Sequence, residues 1–337
     1  MPTISVLMPC YNATTTLAEA LESLLAQSFA DFEILAVDDG SMDESAAVLD
    51  TYAQKDSRVR VLRQVHGGII PALNRAHAAA QGQFLARMDA DDRCHPERFA
   101  KQIALFEAQP ELALVSCQVK AFPSEDVREG FRIYLDWLNA LCSDADIRRE
   151  IFVESPLPHP SVMLRKQWLD QMGGYQDHGW PEDYDLWLRM HAAGARFGKV
   201  AEVLLGWRES PDRLTRSDSR YSLENFIRAK AHYLMAGPAA DRSLIIWGAG
   251  MMGRRLAKQL EQRGAQIEAF IDIDPKKIGG TKRGRPVLAP DDLPDCWAGS
   301  TSPLILAAVG ARGARALIRA QLQSMGFEEG RDWLGAA

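Results

Sequence analysis

Short apolar runs alternate with amphipathic stretches through the first 120 residues. Ile4–Met8 has the length and character of a buried strand, and Leu17, Leu21, Leu24 and Leu25 then mark one helical face. Thr16-x-x-Glu19 at the start of that face reads as a capping box. The same alternation predicts strands over Phe32–Val37, Val59–Leu62, Phe84–Met88 and Leu112–Val119. Helices are expected over Ser45–Lys55, Ile70–Ala80 and Pro96–Ala108, the last with proline at a favoured first-turn position. A strand–helix rhythm of this kind predicts a mostly parallel sheet covered on both faces.

The middle of the chain is less regular. Phe131–Leu141 and Asp144–Phe152 read as helices, Pro156, Pro158 and Pro160 stiffen a loop around His159, and Ser161–Leu164 is a short strand. Pro181 and the acidic pair Glu182-Asp183 open a helix whose Leu186, Trp187 and Met190 share a face. Val200–Trp207 reads as a strand and Tyr221–Met235 as a helix. Gly237–Asp241 reads as a linker, beyond which a new βαβ unit begins: strand Leu244–Trp247, a glycine turn at Gly248–Gly253, helix Arg254–Arg263 and strand Ile267–Ile271. A strand at Leu304–Val309 and a helix at Arg312–Met325 follow.

At 337 residues, length agrees with two domains, here an unequal pair. The chain is 47% hydrophobic and 25% charged, which excludes a disordered or low-complexity scaffold. No apolar run approaches the roughly 20 residues of a membrane helix, and no signal peptide is expected. Five cysteines stand singly with no C-x-x-C, which argues against a disulfide framework or zinc site and fits a reducing, cytoplasmic setting. The net charge of -6 hides an asymmetry: residues 241–337 carry 14 Lys and Arg against 11 Asp and Glu, and residues 1–240 carry 25 against 34. An acidic first domain has no general attraction for nucleic acid, so a phosphate compound bound there calls for an intermediary cation.

Chemistry is concentrated where strands end, because ligands of open α/β sheets bind beyond the carboxyl ends of the strands. Tyr11, in Pro9-Cys-Tyr11-Asn12, offers a flat face for a nucleobase, and Asp39, in Asp38-Asp39-Gly40-Ser41, an acceptor for a base N–H. Asp89 and Asp91, in Asp89-Ala90-Asp91-Asp92, are hard oxygen donors suited to Mg²⁺ or Mn²⁺. Each acidic loop alone reads first as an ordinary turn; two of them about 50 residues apart in one βα series reverse that and favour a cation-assisted phosphate site. Glu182-Asp183-Tyr-Asp185 puts three acids in four residues, more than a helix cap requires, and admits a general base as well as a cap.

Together these stretches resemble a family 2 glycosyltransferase. The matching strings are Ile4-Ser-Val-Leu-Met-Pro-Cys-Tyr-Asn12, Val37-Asp-Asp-Gly-Ser41, Ala72-Leu-Asn74 with Ala80-Gln-Gly82, Ala86-Arg-Met-Asp-Ala-Asp-Asp92 and Glu182-Asp-Tyr-Asp-Leu-Trp-Leu-Arg189. The resemblance covers roughly residues 1–235 and implies a GT-A nucleotide-diphospho-sugar transferase fold for a domain at 1–236. It implies an inverting, metal-dependent transfer from a nucleoside-diphosphate sugar, a UDP-sugar before others, to a hydroxyl of a glycan or lipid-linked acceptor in cell-surface polysaccharide synthesis. By position it assigns Pro9, Tyr11, Asp38 and Asp39 to the nucleotide, Asp89 and Asp91 to Mn²⁺ or Mg²⁺, Asp89 and Asp92 to the donor sugar, and Asp183 to the catalytic base. A cytoplasmic enzyme, peripheral at the inner membrane face, is the expected setting.

Other positions carry two readings. His159, in Pro158-His-Pro-Ser-Val-Met-Leu164, is expected on the acceptor side or beside Asp183, against a plain surface-loop histidine; Glu182 belongs to the same acceptor-or-phosphate group. Arg208 and Arg213 fall where relatives close a basic loop over the diphosphate, against a solvated loop. His66-Gly67-Gly68 stands where relatives have Asn-x-Gly and is expected as a cleft loop, not a ligand.

Gly248-Ala-Gly250-Met-Met-Gly253 has the strand–turn–helix context of a dinucleotide fingerprint, with Asp272 near the place of a ribose-binding acid. The segment 241–337 resembles the small Rossmann-like modules of sugar and polysaccharide biosynthesis proteins, through Phe270-Ile-Asp-Ile-Asp274-Pro and Gly284-Arg-Pro-Val287. Its length fits barely one and a half mononucleotide halves, so a structural or docking role competes with nucleotide binding. Two further function classes stay open at this level. A nicotinamide-dependent oxidoreductase would use the Gly248–Gly253 loop, but lacks a Tyr-x-x-x-Lys pair after Gly253. A non-catalytic sugar-nucleotide binder would have no use for Asp183.

Overall fold

The computed structural model describes residues 1–210 and 213–337. Apolar runs become the central strands. β1 (Ile4–Cys10) and β2 (Phe32–Asp38) are almost wholly buried and pair in parallel, and their register aligns Cys10 with Asp38. The loops that follow these two strands therefore emerge side by side. With β3 (Val59–Arg63), β4 (Phe84–Arg87), β5 (Arg93–Cys94), β6 (Leu112–Phe122), β7 (Met163–Arg165) and β8 (Arg196–Arg208), they form an eight-stranded sheet among the described residues. The order is β3-β2-β1-β4-β7-β6-β8-β5; β7 and β5 run antiparallel to their neighbours and the rest pair in parallel. Helices Thr14–Leu25, Ser45–Lys55, Ile69–Ala79 and Arg98–Ala108 lie between the strands, and Leu17, Leu21 and Leu24 enter the core as the periodicity predicts.

Two boundaries differ from expectation for local reasons. The helix expected from Pro96 begins at Arg98, because the Pro96 carbonyl is taken by the Ser28 N–H at 2.8 Å. The strand expected from Val200 begins at Arg196, since it pairs alongside β6 from Leu112 onward.

The capping box at Thr16 is not formed. The helix starts at Thr14 behind Ala13, with no side-chain cap. The Ser45 hydroxyl instead accepts the Ala13 N–H at 2.7 Å. Thr16 Oγ1 donates to the Ala90 carbonyl at 3.0 Å, and Glu19 is drawn to Arg93 and Arg208.

A second sheet holds β9 (Leu244–Trp247), β10 (Ile267–Ile271), β11 (Thr281–Lys282), β12 (Arg285–Leu288), β13 (Leu304–Ala307) and β14 (Trp333–Gly335). Its order is β11-β12-β10-β9-β13-β14, parallel except for the β11 edge. Taken from β9 onward, the five parallel strands follow 3-2-1-4-5, lacking only the sixth strand of a complete dinucleotide fold. The segment thus holds more of that fold than its length suggests. Its core gathers Ile245, Trp247, Ile271, Leu293, Ile305, Ile318, Leu322 and Trp333.

The chain divides into two compact units. One comprises Met1–Ile147, Pro156–His178 and Asp185–Ser217, and contains the first sheet. The other comprises Arg148–Ser155, Gly179–Tyr184 and Asp218–Ala337, and contains the second. Helix Leu223–Met235, capped by Ser222, and the linker expected at 237–241 both lie within this second unit. No described helix is long and apolar enough to cross a membrane.

Candidate active site

The ends of β1, β2 and β4 carry the loops singled out in the sequence. Pro9 is the half-buried penultimate residue of β1, and Tyr11 follows it with 41% of its surface exposed. Asn12 takes the left-handed conformation (φ 47°); its N–H donates to Ser41 Oγ at 3.1 Å, and its Oδ1 accepts the Met42 N–H at 2.8 Å. Asp38 Oδ1 accepts the Ser41 N–H at 3.0 Å, which closes the turn after β2. Gly40 sits at φ 71° where an added Cβ would stand 2.7 Å from His66 N, so the turn requires glycine.

Asp39 is buried and binds the loop after β3. Its Oδ1 accepts from Gln64 Nε2 at 2.7 Å and from the Gly67 N–H at 2.9 Å; its Oδ2 accepts from the Gly68 N–H at 2.8 Å and lies 2.9 Å from His66 Nδ1. The His66 ring stacks on Tyr11 with centroids 4.0 Å apart. The loop expected only to border the cleft therefore holds the two groups expected to meet a nucleobase.

Asp89, Asp91 and Asp92 lie after β4, and each offers a carboxylate oxygen within 4.8 Å of the others. Asp89 is ion-paired with the buried Arg87. Burial, then the charge of Asp89, raises the Asp91 carboxyl to about 6. Burial with Asp89 and Asp91 raises Asp92 well above the usual carboxylate range. Asp92 Oδ1 accepts the Arg208 N–H at 2.7 Å, and its buried Oδ2 has no hydrogen-bond partner. Three crowded hard oxygen donors, one buried and unsatisfied, fit a divalent cation, which would satisfy that oxygen and cancel the mutual repulsion.

Arg208 and Arg213 sit beside these acids rather than in a solvated loop. Arg208 Nε donates to the Asp91 carbonyl at 2.6 Å, its guanidinium pairs with Glu19, and it lies 4.5 Å over the Phe122 ring. Arg213 pairs with Glu209 at 3.0 Å and stands 4.4 Å over the Trp207 ring. Burial lowers the Arg213 pKa, while Asp92, Asp89 and Asp91 oppose that shift. Arg87 and Glu19 are the two supports that sequence reading did not identify. An arginine two residues before an acidic loop is the available signal for the first; the second has the spacing of a capping residue.

In helix Glu182–Ala192 the neighbouring acids are already engaged. Glu182 is buried and accepts the Tyr221 hydroxyl at 2.7 and 2.9 Å, with Arg220 at 3.8 Å. Asp185 is buried between His178 Nδ1 at 2.9 Å and Arg189 Nε at 2.7 Å. Asp183 is half-buried, and its Oδ1 accepts the Tyr184 N–H at 2.7 Å. Of the three, it is the one whose side chain is not buried.

His159 is buried, which corrects the surface-loop reading. Its Nε2 lies 3.0 Å from the Tyr175 hydroxyl, and its ring meets Trp187 edge-on. Burial, then the charge of Arg87, holds its pKa well below the ordinary value near 6.5. The unfolded chain then binds a proton that the folded chain refuses. His159 thus contributes stability that is full above about pH 6.5 and is lost as pH falls through that value toward the depressed pKa. Melting temperatures measured at pH 7.5 and 5.5 should show a smaller acid loss in His159→Gln than in the parent chain.

The model of glycosyl transferase family 2 matches residues 5–173. The chain belongs to glycosyl transferase family 2. Among relatives of this glycosyltransferase, the amylovoran biosynthesis glycosyltransferase AmsE of Erwinia amylovora is 34% identical over 63% of this chain and 78% of its own. Among solved structures, S. aureus TarS in complex with UDP-GlcNAc superposes with TM-score 0.57 at 18% identity, covering 77% of this chain and 72% of that one. The mannosyltransferase PcManGT from Pyrobaculum calidifontis, in complex with GDP-Man and Mn²⁺, gives TM-score 0.50 at 16% identity over 97% and 81%. These likenesses place the first sheet of the glycosyltransferase in the GT-A fold.

In the second unit of the glycosyltransferase, Gly248 and Gly253 serve close packing. A Cβ on Gly253 would stand 1.8 Å from the Gly248 carbonyl oxygen, and one on Gly248 (φ 122°) 2.8 Å from that of Ala308; around Gly250 the space is open. Asp272 accepts from Ala249 N–H at 2.9 Å, Asp274 N–H at 3.0 Å and Lys277 Nζ at 3.0 Å. Its carboxylate is thereby committed to holding the glycine loop.

Proposed function

We propose that this glycosyltransferase moves a sugar from a nucleoside diphosphate to a hydroxyl of a surface polysaccharide or its lipid-linked precursor, with inversion and with a divalent cation. The observation that carries this reading is the acidic trio, whose buried Asp92 Oδ2 has no hydrogen-bond partner. Similarity to a protein of amylovoran biosynthesis supports the polysaccharide acceptor. Residues 1–236 would form the transferase domain and 241–337 an appended module.

In this mechanism Tyr11 and Asp39 receive the base, with Pro9 and Asp38 shaping the nucleotide's place. Asp89 and Asp91, with Asp92 beside the donor sugar, would hold Mn²⁺ or Mg²⁺, which supplies positive charge against the diphosphate as it leaves. Arg208 fixes the acidic loop and Arg213 adds positive charge beside it. Asp183 takes the proton of the acceptor hydroxyl as its oxygen attacks the anomeric carbon opposite the leaving diphosphate. One C–O bond forms, one breaks, and the configuration inverts.

The test is a screen of UDP-, GDP- and dTDP-sugars against octyl glycosides, reading nucleoside diphosphate release and the anomeric configuration of the product. Release with Mn²⁺ or Mg²⁺ that stops on chelation, with inverted product, is expected. Full turnover in EDTA would exclude the cation, and a retained configuration would exclude the single displacement.

A further inference from the structure

The loop after β3 imitates a nucleobase. It lays a flat heteroaromatic ring on Tyr11 and directs donors at Asp39, the two interactions the donor-site reading assigns to the base. The stacked centroids are 4.0 Å apart. A base inserted between Tyr11 and His66 would need two stacking contacts, a separation of about 7 Å. It cannot enter while His66 stays. Asp39 is crowded as well: Gln64, Gly67 and Gly68 direct three donors at its carboxylate, and His66 Nδ1, 3.1 Å from the Asp39 carbonyl oxygen, stands 2.9 Å from Oδ2.

We propose that His66 occupies the nucleobase slot and is the side chain the donor's base must displace. This rests on the nucleotide-site reading given above. The side chains of Gln64 and His66 can rotate away; the backbone N–H groups of Gly67 and Gly68 keep the loop on Asp39. His66 is 52% exposed, so it can swing into solvent without opening the core. A base with a ring N–H beside a carbonyl, as in uracil or guanine, replaces the His66 ring on Tyr11 and takes the place of its Nδ1 beside Asp39 Oδ2. The measured affinity is then the intrinsic affinity reduced by the fraction of molecules whose slot is open.

His66→Ala should bind UDP, with Mn²⁺ present, about three- to tenfold more tightly than the parent chain, the range expected for removing one aromatic pair. Inorganic pyrophosphate, which leaves the base slot empty, should bind both proteins equally. His66→Gln, which keeps a donor but loses the ring, should fall between them. In donor hydrolysis, KM should fall.

Calorimetric titration with UDP, GDP and pyrophosphate measures these affinities. Unchanged or weaker UDP and GDP binding in His66→Ala would overturn the proposal, since His66 would then be neutral or part of the base's own contact. An equal gain for pyrophosphate would also overturn it. If the parent and His66→Ala both bind pyrophosphate but neither binds UDP or GDP more tightly than pyrophosphate, the nucleotide-site reading fails, and this proposal with it.

Discussion

Replacing Asp183 with alanine is expected to lower kcat for sugar transfer by about 10²–10⁴-fold, the usual worth of a positioned general base. UDP affinity should be unchanged, because the group acts on the acceptor. Its helix neighbours cannot deputise. Glu182 is buried under the Tyr221 hydroxyl, and Asp185 is held between His178 and Arg189. Asp183→Asn keeps the shape and removes the basicity, so it should match alanine in the transfer assay. Nucleoside diphosphate release at saturating acceptor is the measurement, and near-parental turnover in the asparagine variant would remove Asp183 as the base.

The second large effect belongs to Asp91. Asp91→Asn takes one charge from a trio in which burial and Asp89 already work against ionisation. Without added metal, the variant should melt at or above the temperature of the parent chain. With Mn²⁺, the parent should gain stability according to its affinity and the variant should not. Turnover should fall by at least about 10²-fold, since a Lewis acid supplies several kcal/mol to such a step. Thermal melts with and without Mn²⁺ read both halves. A variant destabilised without metal yet still responsive to Mn²⁺ would show that Asp91 supports the loop and leaves the cation to others.

Strands and acidic loops were legible wherever the information is local. The apolar runs of β1 and β2 announce themselves, and the acids after β2 and β4 stand at strand ends where ligands gather. The errors came where a partner is distant. Thr16 and Glu19 have the spacing of a cap, yet their partners are Ala90, Arg93 and Arg208, brought near by the sheet. Glu182, Asp183 and Asp185 look alike in sequence; Tyr221 and His178 distinguish them. His159 admits a surface-loop reading beside a functional one because prolines surround it, but it is buried against Tyr175 and Trp187. β5 and β11 span two residues each, too few to leave a periodic signature.

The brevity of β5 has its own consequence. Arg93 and Cys94 pair with Gly206 and Leu205 of β8, so the acidic loop leaves the sheet at β4 and re-enters it at β5. A loop anchored at both ends by ladder hydrogen bonds keeps little conformational entropy to surrender on binding. The amide protons at its two ends, where Met88 N–H donates to the Leu7 carbonyl at 3.2 Å and Cys94 N–H to Ser23 Oγ at 3.0 Å, belong with the slowly exchanging class of the sheet, and ligand addition should alter their exchange rates little. Selectivity among cations would then be decided by how well each ion's radius suits a cradle that is set before the ion arrives.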